Sequence, residues 1–371
     1  MSPSMLATPV VVEENKKYQM GVKHLCGNGL TKVPSKYIWP EPDRPIFTKS
    51  DNLIKPKQNL KLPIIDFAEL FGPNRPQVLR TIAEACETYG FFQVVNHGME
   101  GDVSRNMIEV CKRFFELPYE ERSKYMTSDM SAPVRYGTSF NQSKDNVFCW
   151  RDFLKLLAHP LPDYLPYWPT SPSDFRSLAA TYAKETKEMF EMMVKVILES
   201  LEIDGEDDEA AEELEQGSQL MVVNCYPPCP EPELTLGMPP HSDYGFLTLL
   251  LQDDVEGLQI LFRDEWVTVD PIPGSFVVNV GDHLEIFSNG RYKSVLHRVL
   301  VNSTKPRISV ASLHSFPFTS VVKPSPKLID KRNPPRYMET DFATFLQYVS
   351  SREPKWKNFL ESRKIDHRLI I

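Results

Sequence analysis

The run of short strand-like segments between Gln219 and Phe316 constrains the fold of this chain more than any other feature. The segments are rich in β-branched and aromatic residues, and turns that contain Gly, Pro, Asn or Asp separate them. Strands are predicted at residues 220–226, 246–252, 257–262, 266–269, 275–280, 294–302 and 307–316. Short strands at this spacing are typical of a β-sandwich or barrel, with helices supplied by the rest of the chain.

The helices of the predicted fold lie mainly in the first half of the chain. Apolar residues at helical spacing predict helices over 76–89, 102–116 and 172–201, whereas residues 120–172 show few periodic signals. The sequence therefore predicts a mixed α+β fold. Its expected parts are an N-terminal tail and arm over 1–60, a helical and strand domain over 61–210, a strand-rich domain over 211–320 and C-terminal helices over 321–371.

The N-terminal arm has two interpretations. It runs through Pro40, Pro42 and Pro45 after a short predicted helix near residues 22–30. It either lies on the surface without a function of its own, or it wraps the body or covers a pocket. The sequence leaves both alternatives open.

Composition and charge exclude several classes of function. The chain has 371 residues and a formal net charge of −8 without a long basic block, which predicts neither a nucleic-acid partner nor a membrane surface. No window of about 18 apolar residues exists, so no membrane span is expected. The N-terminus lacks a basic start, the first arginine is Arg44, and the scattered cysteines suit a reducing compartment. We therefore expect a cytoplasmic monomer that acts on a small molecule.

Two histidines and one aspartate form a candidate metal site. Residues two apart in an extended segment point to the same side, so His241 and Asp243 can face one ion. His297 lies in a later strand-like segment, which a barrel can bring to a third ligand position. Two imidazoles and one carboxylate can occupy one face of an octahedral ion and leave three positions open, as is typical of non-haem Fe(II) oxygenases. Structural zinc would require a fourth ligand, usually sulfur.

A candidate anion site lies on the last predicted strand. Arg307 and Ser309 are two residues apart, so both face one side of that strand. The inside of a barrel is otherwise apolar, and a buried arginine there needs an anion. The C5 carboxylate of 2-oxoglutarate is a suitable anion, with Asn224 and Tyr226 of an earlier strand as further donors. The alternative is a structural salt bridge for Arg307.

Long motifs carry a resemblance to one known family. They are PIID at 63–66, GFFQVVNHG at 90–98, NCYPPCP at 224–230, GMPPHSD at 237–243, LQI at 258–260, VNVGD at 278–282, SNGRYKSV at 288–295 and HR at 297–298. On these motifs the chain resembles the plant 2-oxoglutarate and Fe(II) dependent dioxygenases of specialised metabolism, from Leu62 to about Tyr348. The resemblance implies a double-stranded β-helix, or jelly roll, with flanking helices and with the Fe(II) and 2-oxoglutarate site in residues 211–320.

The resemblance also implies roles for individual residues. The implied Fe(II) ligands, which are the catalytic residues, are His241, Asp243 and His297. The implied contacts to 2-oxoglutarate are Arg307, Ser309, Tyr226 and Asn224. The chain departs from many relatives at Cys225, where they carry tyrosine, and this residue is expected to face away from the site.

The substrate region is less clearly marked. Aromatic and polar residues occur together over 135–155 and indicate either the wall of a small-molecule pocket or a packed edge of the core. Within the family this region is most similar to flavanone 3-hydroxylase-like and salicylate 5-hydroxylase-like members. The substrate contacts expected are Tyr136, Thr138, Phe140, Trp150, Lys155, Val222, Leu313 and Ser315. Several relatives that stack a flat phenolic ring have phenylalanine at the position of Leu313, and the leucine weakens the case for a flavonoid.

The activity implied is hydroxylation of a small phenolic, flavonoid or hormone-like metabolite, with release of succinate and carbon dioxide. Fe(II), 2-oxoglutarate and dioxygen are the implied cofactor and co-substrates, and ascorbate is the implied reductant. Desaturation and demethylation share every motif, so the sequence leaves them open. A catalytically silent receptor of the same fold is a further alternative, although the metal triad and Arg307 are intact. A cupin-like metal isomerase would have no use for Arg307 and Ser309.

Overall fold

Two facing β-sheets form the core of the protein, and helices cover the outer face of the larger sheet. The computed structural model describes residues 20–45, 59–139, 145–203, 209–351 and 359–366. The strands within them are β1 (Asn59–Leu60), β2 (Ile64–Asp66), β3 (Phe91–Val95), β4 (Val134–Thr138), β5 (Asp152–Leu157), β6 (Ser218–Tyr226), β7 (Met238–His241), β8 (Leu247–Gln252), β9 (Leu258–Phe262), β10 (Glu265–Val269), β11 (Phe276–Val280), β12 (His297–Val299) and β13 (Arg307–Ser315). The α-helices are α1 (Val22–Gly27), α2 (Arg75–Thr88), α3 (Gly101–Glu116), α4 (Tyr119–Ser123), α5 (Leu161–Tyr164), α6 (Phe175–Ser200), α7 (Glu209–Glu215), α8 (Asp282–Phe287), α9 (Phe342–Ser351) and α10 (Phe359–Arg363).

The order of the strands is that of a jelly roll. The larger sheet runs β2-β3-β11-β8-β13-β6-β5-β4, and the smaller sheet runs β1-β10-β9-β12-β7. The sheets pack against each other where Leu258 and Ile260 of β9 meet Phe91 of β3 and Val277 of β11. The predicted mixed α+β fold with a double-stranded β-helix core is confirmed.

Residues 120–172, which show few periodic signals in the sequence, contain two regular strands that the sequence analysis did not predict. β5 pairs with β6 from Asp152 to Leu157, and β4 pairs with β5 at the edge of the larger sheet. All five residues of β4 are buried, so no alternation of apolar and polar residues marks this strand. The neighbouring strand, not a local pattern, stabilises β4 and β5 in the extended conformation.

The central strands of the larger sheet present two different faces, because side chains alternate along a strand. Val277 of β11 packs against the smaller sheet. The residues in register with Val277 on the next four strands, β8, β13, β6 and β5, are Leu250, Ala311, Val222 and Lys155. We call this side the inner face. The opposite, outer face packs on the helices through Val223, Cys225, Ile308 and Val310. The structure thus places Cys225 on the face away from Asn224 and Tyr226.

The N-terminal arm wraps the body of the protein. Val22, Leu25 and Tyr37 are buried in an apolar cluster with Trp150 and Tyr226. The cluster lies at the end of β6, where Tyr226 belongs to the candidate anion site. Of the two interpretations of the arm, the structure supports the one in which it wraps the body.

The buried carboxylate of Asp152 anchors this arm. Its oxygens accept hydrogen bonds from the backbone N–H groups of Val22 (2.7 Å) and Lys23 (2.9 Å) and from the hydroxyl of Tyr136 (3.3 Å). Nη1 of Arg122 lies 3.8 Å from the same carboxylate. One buried side chain therefore connects α1 to the edge of the larger sheet.

We expect Asp152→Ala to lower the free energy of unfolding by about 3–5 kcal/mol, because two backbone N–H groups lose their acceptor and the buried guanidinium of Arg122 loses its counter-charge. Asp152→Asn keeps the shape and one acceptor oxygen, so it should lose less. Asp102→Ala removes only an exposed ion pair with Arg105 and should cost less than about 1 kcal/mol. Urea unfolding followed by circular dichroism compares the three variants, and unchanged stability of Asp152→Ala would contradict the anchoring role.

Candidate metal and co-substrate site

Two neighbouring strands of the smaller sheet bring two histidines together. His241 ends β7 and His297 begins β12, and the two residues are directly opposite each other in the antiparallel pairing. Their ring centroids are 4.1 Å apart. Asp243 follows β7, and its Oδ1 lies 3.9 Å from His241 Nε2 and 3.8 Å from His297 Nε2. The structure therefore brings the three predicted metal ligands together.

Hydrogen bonds determine which nitrogen of each histidine faces the aspartate. Nδ1 of His241 lies 2.8 Å from the carbonyl oxygen of Pro239, and Nδ1 of His297 lies 3.3 Å from that of Val295. Because a carbonyl oxygen only accepts, each Nδ1 carries the hydrogen. Each Nε2 then directs its lone pair toward Asp243, which is the tautomer that binds metals.

The carboxylate of Asp243 is held by two neighbours on the larger sheet. Oδ2 accepts hydrogen bonds from Thr248 Oγ1 (2.6 Å) and Asn279 Nδ2 (2.8 Å). Burial on its own would raise the pKa of Asp243, but the charges of His297 and His241 and these two hydrogen bonds lower it below its usual value. The group is therefore ionised at neutral pH and can bind a cation.

The donor set fits a single metal ion. Two imidazole nitrogens and one carboxylate oxygen lie within 4.8 Å of one another. The histidine–aspartate separations of 3.8 and 3.9 Å are shorter than twice a typical metal–ligand bond of about 2.1 Å, so one ion can reach both atoms of each pair. Three ligands of this kind favour a non-haem Fe(II) centre with open positions over structural zinc.

Thr248→Val keeps the shape of the side chain but removes one hydrogen bond to Asp243. We expect metal affinity to fall about 10- to 100-fold, since groups that orient a ligand have effects of this size. Thr235→Val is a matched control, because Thr235 is also buried and its hydroxyl has no hydrogen-bond partner in the described part of the chain. Titration of the apoprotein with Fe(II) or Co(II) under anaerobic conditions measures both, and equal affinities would contradict the role of Thr248.

Arg307 lies at the start of β13 with only 3% of its surface exposed. Its Nη2 donates to Gln252 Oε1 (2.7 Å), its Nε donates to the carbonyl of Val255 (3.1 Å), and its Nη1 lies 3.4 Å from Ser309 Oγ. Among the described residues no carboxylate lies within 4 Å of the guanidinium. The charge of Arg307 acts to lower the pKa of Asp253, but the two side chains form no direct salt bridge, so the guanidinium can still bind an anion.

Two glycines lie so close to the side chains of the anion site that any larger residue would collide with those side chains. A Cβ at Gly257 would lie 3.0 Å from Cδ of Arg307, and a Cβ at Gly237 would lie 2.7 Å from the ring of Tyr226. Tyr226 in turn stacks under the guanidinium, with its ring 5.3 Å from the Arg307 carbon, and its hydroxyl bonds to Ser309. A guanidinium and two hydroxyl groups in one buried place fit one carboxylate of 2-oxoglutarate.

Asn224 is opposite Ser309 on the inner face, and its amide is oriented by Arg151. Arg151 Nη1 donates to Asn224 Oδ1 (2.9 Å), and its Nη2 donates to the carbonyl of Ser139 (2.7 Å). Sequence reasoning missed Arg151 and also the supporting residues Thr248, Gln252 and Asn279. The signal that could have found the last three is the presence of polar residues at inner positions of otherwise apolar strands, two on β8 and one on β11.

Four of the expected substrate contacts share the inner face with this site. Lys155, Val222 and Leu313 are partly exposed there. Ser315 is buried, and its hydroxyl lies 2.6 Å from Nδ1 of His283. These positions are compatible with a substrate wall beside the metal ligands.

Three other expected contacts lie elsewhere, which corrects the expectation. Tyr136 and Thr138 are buried on the side of β4 opposite to Arg135, where the Tyr136 hydroxyl bonds to Arg122 and Asp152. Trp150 is buried against the N-terminal arm, with its ring 5.4 Å from that of Tyr37. Phe140 lies outside the described residues. The packed-edge interpretation therefore holds for Tyr136, Thr138 and Trp150.

Comparisons with known proteins define the class of this one. Residues 217–315 match the 2OG-Fe(II) oxygenase superfamily, and residues 62–174 match the family described as non-haem dioxygenase in morphine synthesis, N-terminal. The chain is 41% identical to Protein DMR6-LIKE OXYGENASE 1 of Arabidopsis thaliana over 81% of this chain and 84% of that one. It is 40% identical to Flavanone 3-dioxygenase 2 of Oryza sativa subsp. japonica, over 89% and 93%. The chain belongs to the plant 2-oxoglutarate and Fe(II) dependent oxygenases.

The fold agrees with that of a solved relative. A crystal structure of JOX2 in complex with 2OG, Fe and JA matches with a TM-score of 0.82 and 32% identity, and covers 93% of this chain and 98% of that chain. The protein is a 2-oxoglutarate-dependent dioxygenase that uses Fe(II), 2-oxoglutarate and dioxygen to oxidise a small molecule. No helix within the described ranges has both the length and the apolar character needed to cross a membrane.

Proposed function

We propose that His241, Asp243 and His297 bind the Fe(II) of this oxygenase and that Arg307 and Ser309 bind the C5 carboxylate of 2-oxoglutarate. The observation that carries the proposal is the convergence of three metal-ligating atoms within 4.8 Å of one another. The buried guanidinium, which lacks a carboxylate partner among the described residues, supports the assignment of the co-substrate. Tyr226 and Asn224 complete the co-substrate site. All of these roles are inferred from geometry and donor chemistry.

Bound Fe(II), with 2-oxoglutarate and dioxygen, supplies the oxidising chemistry, in which 2-oxoglutarate becomes succinate and carbon dioxide and one oxygen atom enters a C–H bond of the substrate. The chain itself supplies position and charge. Thr248 and Asn279 hold the carboxylate of Asp243, and Gln252 orients the guanidinium of Arg307. No general base from the protein is required.

For the substrate we propose a small phenolic or hormone-like metabolite. Relatives named as flavanone 3-dioxygenases and as a jasmonate-induced oxygenase support this class. The partly exposed apolar residues of the inner face suit a small organic body. Desaturation and demethylation remain alternatives on the same scaffold. A silent receptor has less support, because the metal triad and Arg307 are complete.

We also propose a compartment, a reductant and an oligomeric state for the enzyme. Six cysteines are present as free thiols, which supports a reducing compartment such as the cytoplasm. Ascorbate is proposed as the reductant that returns oxidised iron to Fe(II). We also propose a monomer, which size-exclusion chromatography with light scattering tests directly.

Succinate release with Fe(II) and 2-oxoglutarate across a panel of small phenolics and hormone-like metabolites tests the proposed function. The expected result is that at least one metabolite raises succinate release above the uncoupled rate and gains one oxygen atom by mass spectrometry. A product that has lost two hydrogens or a methyl group would favour the desaturase or demethylase alternative. Binding of a metabolite without any turnover would favour the receptor.

A further inference from the structure

Part of the inner face of the larger sheet is not fully buried, and we call this partly exposed region the chamber. Several inner positions of β5, β6, β8 and β13 are partly exposed, although the alternate positions on these strands are buried. They include Leu157, Val222, Leu250, Ala311 and Leu313. Among the partly exposed inner-face residues of these four strands, Lys155 is the only charged one. The chamber therefore suits an apolar ligand body with one charged group.

The ammonium group of Lys155 has unused donors. Its Nζ donates one hydrogen bond, to the carbonyl oxygen of Met130 at 2.6 Å. No carboxylate in the part of the chain that the structure describes lies within 4 Å of it. An ammonium carries three N–H donors, so two remain for a ligand.

The surroundings of Lys155 favour an anion. Arg135 of β4 is directly opposite Lys155 in the strand pairing and lies on the same face. Burial, and then the charge of Arg135, lower the pKa of Lys155 to about 8, while Asp129 of the preceding loop acts in the other direction. Asp145 compensates part of the charge of Arg135. An anion bound at Lys155 would stabilise its charged form against both the desolvation and the repulsion from Arg135.

We propose that Lys155 binds a carboxylate of the substrate, so that the substrate is a small organic acid with an apolar body. This inference rests on the proposed function and names the substrate class of the same site. The apolar body would lie across Val222 and Ala311, which are in register with Lys155 on β6 and β13. The bound acid thus extends from β5 toward the strands that hold the metal ligands.

The direction of the bound acid has a consequence for the position of oxidation. Leu313 is opposite Thr248 on β8, and Thr248 holds Asp243. β5 and β8 are separated by two strands, which places them about 14 Å apart. The reacting carbon therefore lies at the end of the substrate far from the carboxylate.

Lys155 and Arg307 serve different anions. The guanidinium of Arg307 is held by Gln252 and Val255 on the β8 side of the chamber. The ammonium of Lys155 is held by Met130 on the β4 side. Along β13, Arg307 lies four residues, about 13 Å, from Ala311, which shares the row of Lys155. A molecule of 2-oxoglutarate bound to Arg307 thus does not extend to Lys155, which remains free to bind the substrate.

Matched pairs of an acid and its methyl ester test the proposal. Cinnamic acid and cyclohexylacetic acid, each with its ester, are titrated by calorimetry into the full chain loaded with Fe(II) and 2-oxoglutarate under anaerobic conditions. We expect the wild type to bind at least one acid about 10- to 100-fold more tightly than its ester, the effect of a hydrogen bond to a charged group. Lys155→Met should abolish this preference, and Lys155→Arg should keep most of it. Lys184→Met, which removes an exposed lysine of α6, should behave as the wild type.

Several results would overturn the proposal. They are no preference for either acid in the wild type, an equal loss for acid and ester in Lys155→Met, or a weakening of 2-oxoglutarate binding in that variant by the same factor. The proposed function fails separately, if the wild type neither binds 2-oxoglutarate nor releases succinate. Thermal unfolding shows whether Lys155→Met is folded. If it is not, the preference of Lys155→Arg for the acid over the ester tests the proposal instead.

A pH profile provides an independent readout. Below its lowered pKa, near 8, Lys155 is charged and binds the acid, and above it the charge is lost. For an acid substrate we expect kcat/KM of the wild type to fall as pH rises through about 8, since this ratio reports ionisations of the free enzyme. Arg135 and Asp129, the charged groups that face Lys155, keep their charges in this range. Lys155→Met should lack this decline, and an identical decline would contradict the assignment.

Discussion

Replacement of Asp243 by alanine is expected to lower 2-oxoglutarate turnover by more than about 1,000-fold, because the proposed iron centre loses its only anionic ligand and several kcal/mol of binding and charge stabilisation. The two histidines would remain opposite each other on β7 and β12 but would hold a cation weakly. Succinate release measures the turnover. Iron content after anaerobic loading shows whether the metal itself is lost.

Asp254→Ala is the matched control for this experiment. Asp254 is an exposed acid in the turn after β8, and its removal changes the net charge by the same amount. It should retain both iron and turnover. Full iron content and turnover in Asp243→Ala would reject the ligand assignment, because a bystander carboxylate would give that result.

The second large effect is expected at Arg307. Arg307→Met should raise KM for 2-oxoglutarate about 100- to 1,000-fold, since truncating one partner of a buried charge pair costs several kcal/mol. At saturating 2-oxoglutarate kcat should fall much less, because the arginine holds the end of the co-substrate that does not react. Steady-state kinetics with varied 2-oxoglutarate separates the two parameters.

Two controls accompany Arg307→Met. Arg307→Lys keeps the charge but loses the planar fork, so its KM should lie between those of the wild type and the methionine variant. Arg263→Met removes an exposed arginine of the turn between β9 and β10 and should leave KM unchanged. An unchanged KM in Arg307→Met would contradict its role as the carboxylate anchor.

The second half of the fold was predictable because its strands carry their own signals. Turn residues and β-branched runs marked β6, β8, β9 and β13 to within a few residues. The pairing of His241 with Asp243 was predictable for a related reason, since the two residues are only two positions apart on one extended segment. The residues that orient Asp243 were not predicted. Thr248 and Asn279 lie on different strands, and only the pairing of β8 with β11 brings both of them next to Asp243.

The substrate wall was predicted less well, because the sequence does not show which face of the sheet each side chain occupies. In β4 every residue is buried, so the sequence does not show which residues face the chamber. The aromatic and polar character of Tyr136 and Thr138 suits a pocket wall, but a shift of one residue along a strand moves a side chain to the other face of the sheet. Lys155 and Val222 lie on the inner face because β5 and β6 pair in register with the strand of Ser309, and their role as substrate contacts stays a prediction.

The alternation along β6 and β13 affects how an enzyme of this kind can acquire a new substrate. Val222 lies two residues before Asn224, and Ala311 lies two residues after Ser309, so the reactive centre and the substrate wall are interleaved on the same strands. The positions between them stabilise the fold against the helices. Selection can therefore exchange wall residues one at a time while iron and co-substrate stay in place. A mutant library restricted to Val222, Ala311 and Leu313 is accordingly a short route to altered specificity.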